Sequence, residues 1–370
     1  MNTASDKQSP DRNGVPHPRE VSELVGHAQA QATLRHAWDS GRLPHAWLLS
    51  GARGIGKASL AYRFASFVLS DPPPAVQALF TDTPQGILPP PGASAPHYVA
   101  LGTHPDLFVL EPGKRNRETN RISKDIVVSQ VREATHFCHM TPALATWRIV
   151  LIDPAEEMTQ SAANALLKIL EEPPRQALIL LVTHNPARLL STIRSRCAQL
   201  ALANLETDVV EERLRAFDGH LDGDDASAIA RLAEGSIARA LELSDAGGID
   251  LYRRMIGVLD QMPATDPASL HEFADRVSQG GEGGSFRLGG ELFAWWIGRL
   301  ARAGATGRMP MEVVRGEANV IERLLGLAPL EDWLDLWEKT IRLFRQAEER
   351  HFDRRQVVLS LFLDIEAMAA

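Results

Sequence analysis

Ala46-Trp47-Leu48-Leu49-Ser50-Gly51-Ala52-Arg53-Gly54-Ile55-Gly56-Lys57-Ala58-Ser59-Leu60 is the stretch on which the fold turns. Ala46 to Leu49 is an apolar run too short for a helix and predicts a buried strand. Gly51, Gly54, Ile55, Gly56 and Lys57 follow as a glycine-rich turn, and Ala58 to Leu69 predict a helix. That order is the context of a phosphate-binding loop. The glycines let the backbone curl, its N–H groups face an anion at a helix N-terminus, and Lys57 reaches the terminal phosphates. The bland alternative is a glycine turn with a solvated lysine. After the lysine such loops carry the Ser or Thr whose hydroxyl binds Mg²⁺, and here that place is Ala58. Ser59 comes one residue late, rotated by about 100° around the helix, so phosphate is expected to bind and the metal to be held less well.

The chain around the loop alternates short apolar runs with helical segments over 21–204, the pattern of a mostly parallel sheet flanked by helices. Further strands are expected at Leu107 to Leu110, Arg148 to Ile152 and Ala177 to Thr183. Within 71–105, Pro72, Pro73, Pro74, Pro84, Pro89, Pro90, Pro91 and Pro96 predict an irregular surface insertion. Past 204 strand signals cease. A helical lid is expected over 205–248 and an all-helical block over 249–370. In that block Trp333, Leu336, Trp337, Ile341 and Phe344 fall on one helical face, as core or subunit interface, and Gly280 to Gly290 reads as a flexible joint.

Asp153 ends the apolar run Ile149 to Ile152, where P-loop ATPases place the acid that orients magnesium; the next position, where a glutamate would polarise water, is Pro154. Glu156 and Glu157 are read as pointing from the following turn. Capping of the strand end is an equal reading for Asp153. Thr183 ends its strand where a hydroxyl meets a γ-phosphate, although Thr-His-Asn-Pro is also a plain turn. In Ser195-Arg196-Cys197 the arginine has a fork suited to phosphate across a subunit interface, against the commoner reading of a surface charge. Candidate nucleotide-binding residues are thus Gly51, Gly54, Ile55, Gly56, Lys57, Ala58, Ser59, Asp153 and Thr183, with Arg196 as a catalytic candidate in trans.

Composition bounds these readings. The 370 residues are 44% hydrophobic and 23% charged, which excludes wholesale disorder. The net charge of −8 has the wrong sign for a protein that wraps DNA unaided. Residues 1–20 are polar and proline-broken and are expected to be a flexible leader without a signal-peptide core. The longest apolar run is far short of a bilayer span, so a soluble cytoplasmic chain is expected. Cys138 and Cys197 are too few for a disulfide framework or a four-cysteine zinc site. His136, Cys138 and His139 spread around a helix rather than converge on a metal.

The four motifs in this order resemble the clamp-loader branch of the AAA+ ATPases. Ala162-Ala163-Asn164-Ala165-Leu166-Leu167-Lys168-Ile169-Leu170-Glu171-Glu172-Pro173-Pro174 is similar to the family's helix and breaker, and Ser195-Arg196-Cys197 to its Ser-Arg-Cys motif. Leu43 to Leu49, His104-Pro105-Asp106 and Phe352 to Gln356 are similar to segments of its bacterial members. Gly235-Ser236-Ile237-Ala238-Arg239 resembles the second sensor, whose nucleotide-sensing arginine falls at Ala238. The resemblance implies an α/β P-loop domain, a helical lid and an all-α collar. With Ala58 and Pro154 it implies a non-motor member of a hetero-pentameric ring that loads the sliding clamp on primed DNA. Its neighbours would be motor ATPase subunits and the clamp-opening delta subunit, and Arg196 would be a finger in a neighbour's ATP site. ATP or ADP is implied at the loop with little or no hydrolysis, without zinc and without a membrane. The rival reading is an active ATPase, either a loader motor or a DNA-repair enzyme.

Overall fold

The computed structural model describes residues 16–21, 23–71, 86–113, 123–278, 284–350 and 352–368. Most of the expected leader, residues 72–85 of the insertion and residues 279–283 of the expected joint lie outside them. The chain forms two compact units, Met1–Val210 with Glu234–Ala238, and Glu211–Ala233 with Arg239–Ala370.

The first unit runs α1 Ala28–Asp39, β1 Ala46–Ser50, α2 Lys57–Leu69, α3 Ala95–Ala100, β2 Leu107–Leu110, α4 Val128–His139, β3 Arg148–Ile152, α5 Gln160–Glu171, β4 Ala177–Thr183, α6 Ser191–Arg194 and β5 Ala198–Ala201. The strands form one sheet in the order β2-β3-β4-β1-β5, every pair parallel. The four expected strands are present, and β5 is an addition on the edge beside β1. Alternate residues serve opposite faces. Trp47, Leu49, Ile149, Leu151, Leu178 and Leu180 pack with α1, α2 and α3, while Ala46, Leu48, Val150, Ile152, Ile179 and Leu181 pack with α4, α5 and α6. A parallel sheet covered on both faces needs apolar residues throughout, and all of β4 is buried.

The insertion differs from its expectation. Its described part is no mere surface loop: Ile87, Ala95 and Val99 are in the core against α2, and Pro96 sits in the first turn of α3, where a missing N–H does no harm. His104-Pro105-Asp106 is structural. The fully buried Asp106 carboxylate accepts the N–H groups of Ala143 and Leu144 at 2.7 Å and of Ala145 at 3.0 Å.

α7 Thr207–Phe217 leads into the second unit, which continues α8 Gly223–Leu232, α9 Ile237–Asp245, α10 Gly248–Asp260, α11 Pro267–Ser278, α12 Gly284–Thr306, α13 Glu317–Leu325, α14 Leu330–Arg350 and α15 Arg354–Met368. Gly284 to Gly290 are helical, which corrects the expected joint there. A Cβ on Gly290 would lie 2.3 Å from the Phe344 ring, so this glycine serves close helix packing and not flexibility. The expected aromatic face of α14 also divides. Trp333 and Leu336 are buried, Trp333 edge-on to Trp296, whereas Trp337 and Ile341 are 38% and 40% exposed. In the same core Glu317 accepts from Tyr252 Oη at 2.5 Å, from Arg299 at 2.9 Å and from the Val313 N–H at 2.7 Å. In the closing motif Asp353 accepts from the N–H groups of Arg355 and Gln356, capping α15. Among the described residues no helix is long and apolar enough to cross a membrane.

Candidate functional site

β1 delivers the glycine loop to the C-terminal edge of the sheet. Gly51, Gly54 and Gly56 have φ of 147°, 77° and 102°, values that L side chains rarely adopt. A Cβ on Gly51 would meet the Leu202 carbonyl at 2.5 Å, and one on Gly54 would meet Ser236 Oγ at 2.2 Å. Ile55 is buried beneath the loop and its carbonyl lies 2.6 Å from His27 Nε2, which ties the loop to the start of α1. Lys57 opens α2 directly after Gly56.

Lys57 is 3% exposed, and its Nζ donates to the Ala52 carbonyl. Burial pushes its pKa down to about 8, against the opposing pull of Asp153 and Glu156. Asp153 follows β3 and donates its N–H to the Leu110 carbonyl at 3.0 Å. Thr183, fully buried at the end of β4, accepts the Asn185 N–H at 3.2 Å. Lys57, Asp153 and Thr183 thus meet at one edge of the sheet. Ala58 offers no donor atom there, and the geometry of α2 leaves Ser59 a position away.

Glu156 is where the sequence reading needs correction. The single 3-10 turn Ala155–Glu157 brings its carboxylate back to the end of β4, where Oε1 accepts from the His184 N–H at 2.8 Å and the Asn185 N–H at 3.3 Å. Burial opposes its ionisation, but the Thr183 hydroxyl and the N–H groups around it outweigh burial and hold the carboxyl below its ordinary range. His184 is pushed down by burial and by Lys57. The signal for Glu156 was a carboxylate three residues past the strand-end acid.

Arg196 is not brought to this edge. Ala198 pairs with Trp47 at the start of β1, so Arg196, two residues earlier, lies at the N-terminal end of the strands. A strand of five residues rises about 3.3 Å per residue, which separates the two ends by roughly 15 Å. There Arg196 Nη2 meets Glu171 Oε1 at 2.8 Å and Nη1 donates to the Thr192 carbonyl at 2.9 Å, with a third of the side chain exposed. Cys197 is buried behind it, its thiol pushed up to about 11 by burial. The second-sensor segment lies against the loop through Ala238, whose N–H donates to the Gly54 carbonyl at 3.4 Å. Arg239, one place on, pairs with Glu291 at 3.1 Å.

The glycine loop and Lys57 suit the phosphates of a nucleotide. The same edge lacks a hydroxyl at Ala58, and among the described residues no group of three or more His, Cys, Asp or Glu is placed to hold a metal ion.

A family model described as DNA polymerase III, delta subunit, matches residues 26–206. The DNA polymerase III subunit delta' of Pseudomonas aeruginosa is 43% identical over 157 residues, covering 42% of this chain and 42% of that protein. The subunit delta' of Escherichia coli is 33% identical over 161 residues, 44% of this chain and 43% of its own length. The E. coli subunit tau is 29% identical over 232 residues, 62% of this chain and 33% of its own length. The similarity therefore spans less than half of each of these relatives.

Proposed function

We propose that this chain is the delta-prime, non-motor subunit of a clamp loader, a reading supported by the match of residues 26–206 to the family model described as DNA polymerase III, delta subunit, and by the 43% identity to a subunit delta' over 157 residues. In this reading it stands in a hetero-pentameric ring with motor ATPase subunits and a delta subunit, and the ring loads the sliding clamp on primed DNA. Its chemistry is lent: Arg196 enters a neighbour's ATP site. The placement of Arg196 carries the proposal. It stands at the end of the sheet opposite its own Lys57, partly exposed and held by Glu171 and Thr192, a position that is out of reach of the chain's own loop and that supports a role toward a nucleotide bound by another subunit. A planar guanidinium in that role stabilises charge on the transferring phosphoryl group.

The chain's own loop would hold a nucleotide, ATP or ADP, through Gly51, Gly54, Ile55, Gly56 and Lys57, with Asp153 and Thr183 beside the phosphates. Ala58 and Pro154 remove the metal's hydroxyl ligand and the carboxylate that would polarise water. Reconstitution with motor subunits, clamp and primed DNA tests the reading: Arg196→Ala should lower ATP turnover by about 10³–10⁵, the range for fingers supplied in trans. Normal turnover would remove Arg196 from the mechanism.

The meeting of Lys57, Asp153 and Thr183 at one edge favours a second reading, an active ATPase of the loader-motor or DNA-repair kind. Turnover by the isolated chain at an ordinary ATPase rate, abolished in Lys57→Ala, would establish it and displace the first.

A further inference from the structure

We propose that Glu156 is a specificity-determining residue of the chain's own loop: its carboxylate stands where a third phosphate would come, so the site favours a nucleoside diphosphate over a triphosphate. The residues that would receive a terminal phosphate are the Lys57 ammonium, the Thr183 hydroxyl and the N–H groups at the end of β4. Glu156 already engages that set. It accepts the His184 and Asn185 N–H groups at 2.8 and 3.3 Å and is one of the two carboxylates whose charge acts on Lys57.

Its other oxygen, Oε2, is buried without a hydrogen-bond partner. A carboxylate oxygen left in that condition is costly unless a cation or hydroxyl compensates it, and Lys57 and Thr183 are the groups at hand. Lys57 has therefore two anions facing it from within the chain, Asp153 and Glu156, before any ligand arrives. The α- and β-phosphates would be met by the glycine loop and the start of α2, whereas Glu156 sits at the ends of β3 and β4. A γ-phosphate must share its place with a fixed negative charge, and like charges at close range in a dry site exclude one another. Pro154 leaves the site without the water-polarising carboxylate of an ATPase, and Glu156 adds a carboxylate that works against the substrate of one.

The proposal rests on reading the glycine loop as a nucleotide site and not on the role given to Arg196, so the two fail separately. The experiment is equilibrium binding of ATP and of ADP to the full chain and to Glu156→Gln, which keeps shape and an acceptor but removes the charge. Glu156→Ala is a second variant, and each is checked for folding by circular dichroism. The wild-type chain is expected to bind ATP no more tightly than ADP. In the variants the ratio of ATP to ADP affinity should rise about tenfold, with ADP affinity changed little. A merely structural Glu156 would weaken both nucleotides together and leave the ratio alone. An unchanged ratio, variants that bind neither nucleotide, or a wild-type chain that already prefers ATP tenfold would each overturn the proposal, the last without any variant.

Discussion

Arg196→Ala separates a role in a neighbour's catalysis from a role in this chain's folding. The side chain makes one ion pair, 2.8 Å to Glu171, between partners 35% and 50% exposed, and one 2.9 Å hydrogen bond to the Thr192 carbonyl. An exposed ion pair contributes about 0–1 kcal/mol and a hydrogen bond about 0.5–1.5 kcal/mol net, so folding should weaken by no more than about 2.5 kcal/mol. In a unit of this size that is a shift of several degrees in Tm. The expected loss in the neighbour's turnover, 10³–10⁵, corresponds to about 4–7 kcal/mol in the barrier. The assay pairs a thermal melt of the isolated chain with ATP turnover of the reconstituted loader. Glu171→Gln is the control: it breaks the same ion pair but keeps the finger and its hydrogen bond to Thr192, so its melt should fall less than that of Arg196→Ala while turnover is retained. The reasoning is refuted if both variants lose turnover alike, or if Arg196→Ala melts far lower and loses activity only in proportion to unfolding.

Lys57 gives a pH dependence with opposite signs for two observables. Its pKa in the folded chain is lowered to about 8 from 10.5, so between those values the unfolded state binds more protons and the Lys57 contribution makes stability rise with pH. Nucleotide affinity should fall as pH rises above about 8, because the neutral amine no longer attracts phosphate; calorimetric titration across pH 7 to 10 checks the second trend and urea unfolding the first. In the helical unit, Arg299→Met leaves the fully buried Glu317 without its 2.9 Å ion-pair partner and should cost about 3–5 kcal/mol in urea unfolding. Gly290→Ala forces a methyl to within 2.3 Å of the Phe344 ring and should cost about 1–3 kcal/mol by the same measurement, against little effect for alanine at Gly257, where nothing lies within 4 Å.

The parts of the fold legible from sequence were those whose residues are dictated locally. The run Ala177 to Thr183 is apolar because both faces of β4 are covered, and Gly56-Lys57 begins α2 because glycine alone turns into a helix with φ of 102°. β5 escaped notice because Ala198-Gln199-Leu200-Ala201 is an edge strand of four residues with one large apolar group, recognisable only through its pairing with β1. Ile87 and Val99 were hidden among prolines, although proline prevents only continuous helix and not burial. The sequence placed Lys57, Asp153 and Thr183 together because each ends or follows a strand at the same edge. It misplaced Glu156 because a 3-10 turn reverses a side chain that simple helical spacing sends away. Glu171, the partner of Arg196, ends α5, but the contact joins it to the turn before β5 and has no signature in either segment.

On the proposed non-motor reading, the departures from an ATPase pattern are not scattered. Ala58, Pro154 and Glu156 all lie at the C-terminal edge of the sheet, around Lys57. At the N-terminal edge Arg196 has its backbone anchor at Thr192, its carboxylate partner Glu171 and the buried Cys197 behind it. A domain whose task is to donate an arginine needs the sheet intact as a spacer of roughly 15 Å between the edges, and it needs its own nucleotide edge only to hold the loop and α2 in place. The internal contacts of that edge do this without a nucleotide: Lys57 on the Ala52 carbonyl, His27 at the Ile55 carbonyl, and Glu156 across the ends of β3 and β4. On this reasoning Lys57→Met, which removes the charge but keeps the buried stem, should leave Arg196-dependent turnover in the reconstituted loader within about tenfold of wild type. A fall of the size expected for Arg196→Ala would mean that the finger depends on nucleotide held in this chain's own loop.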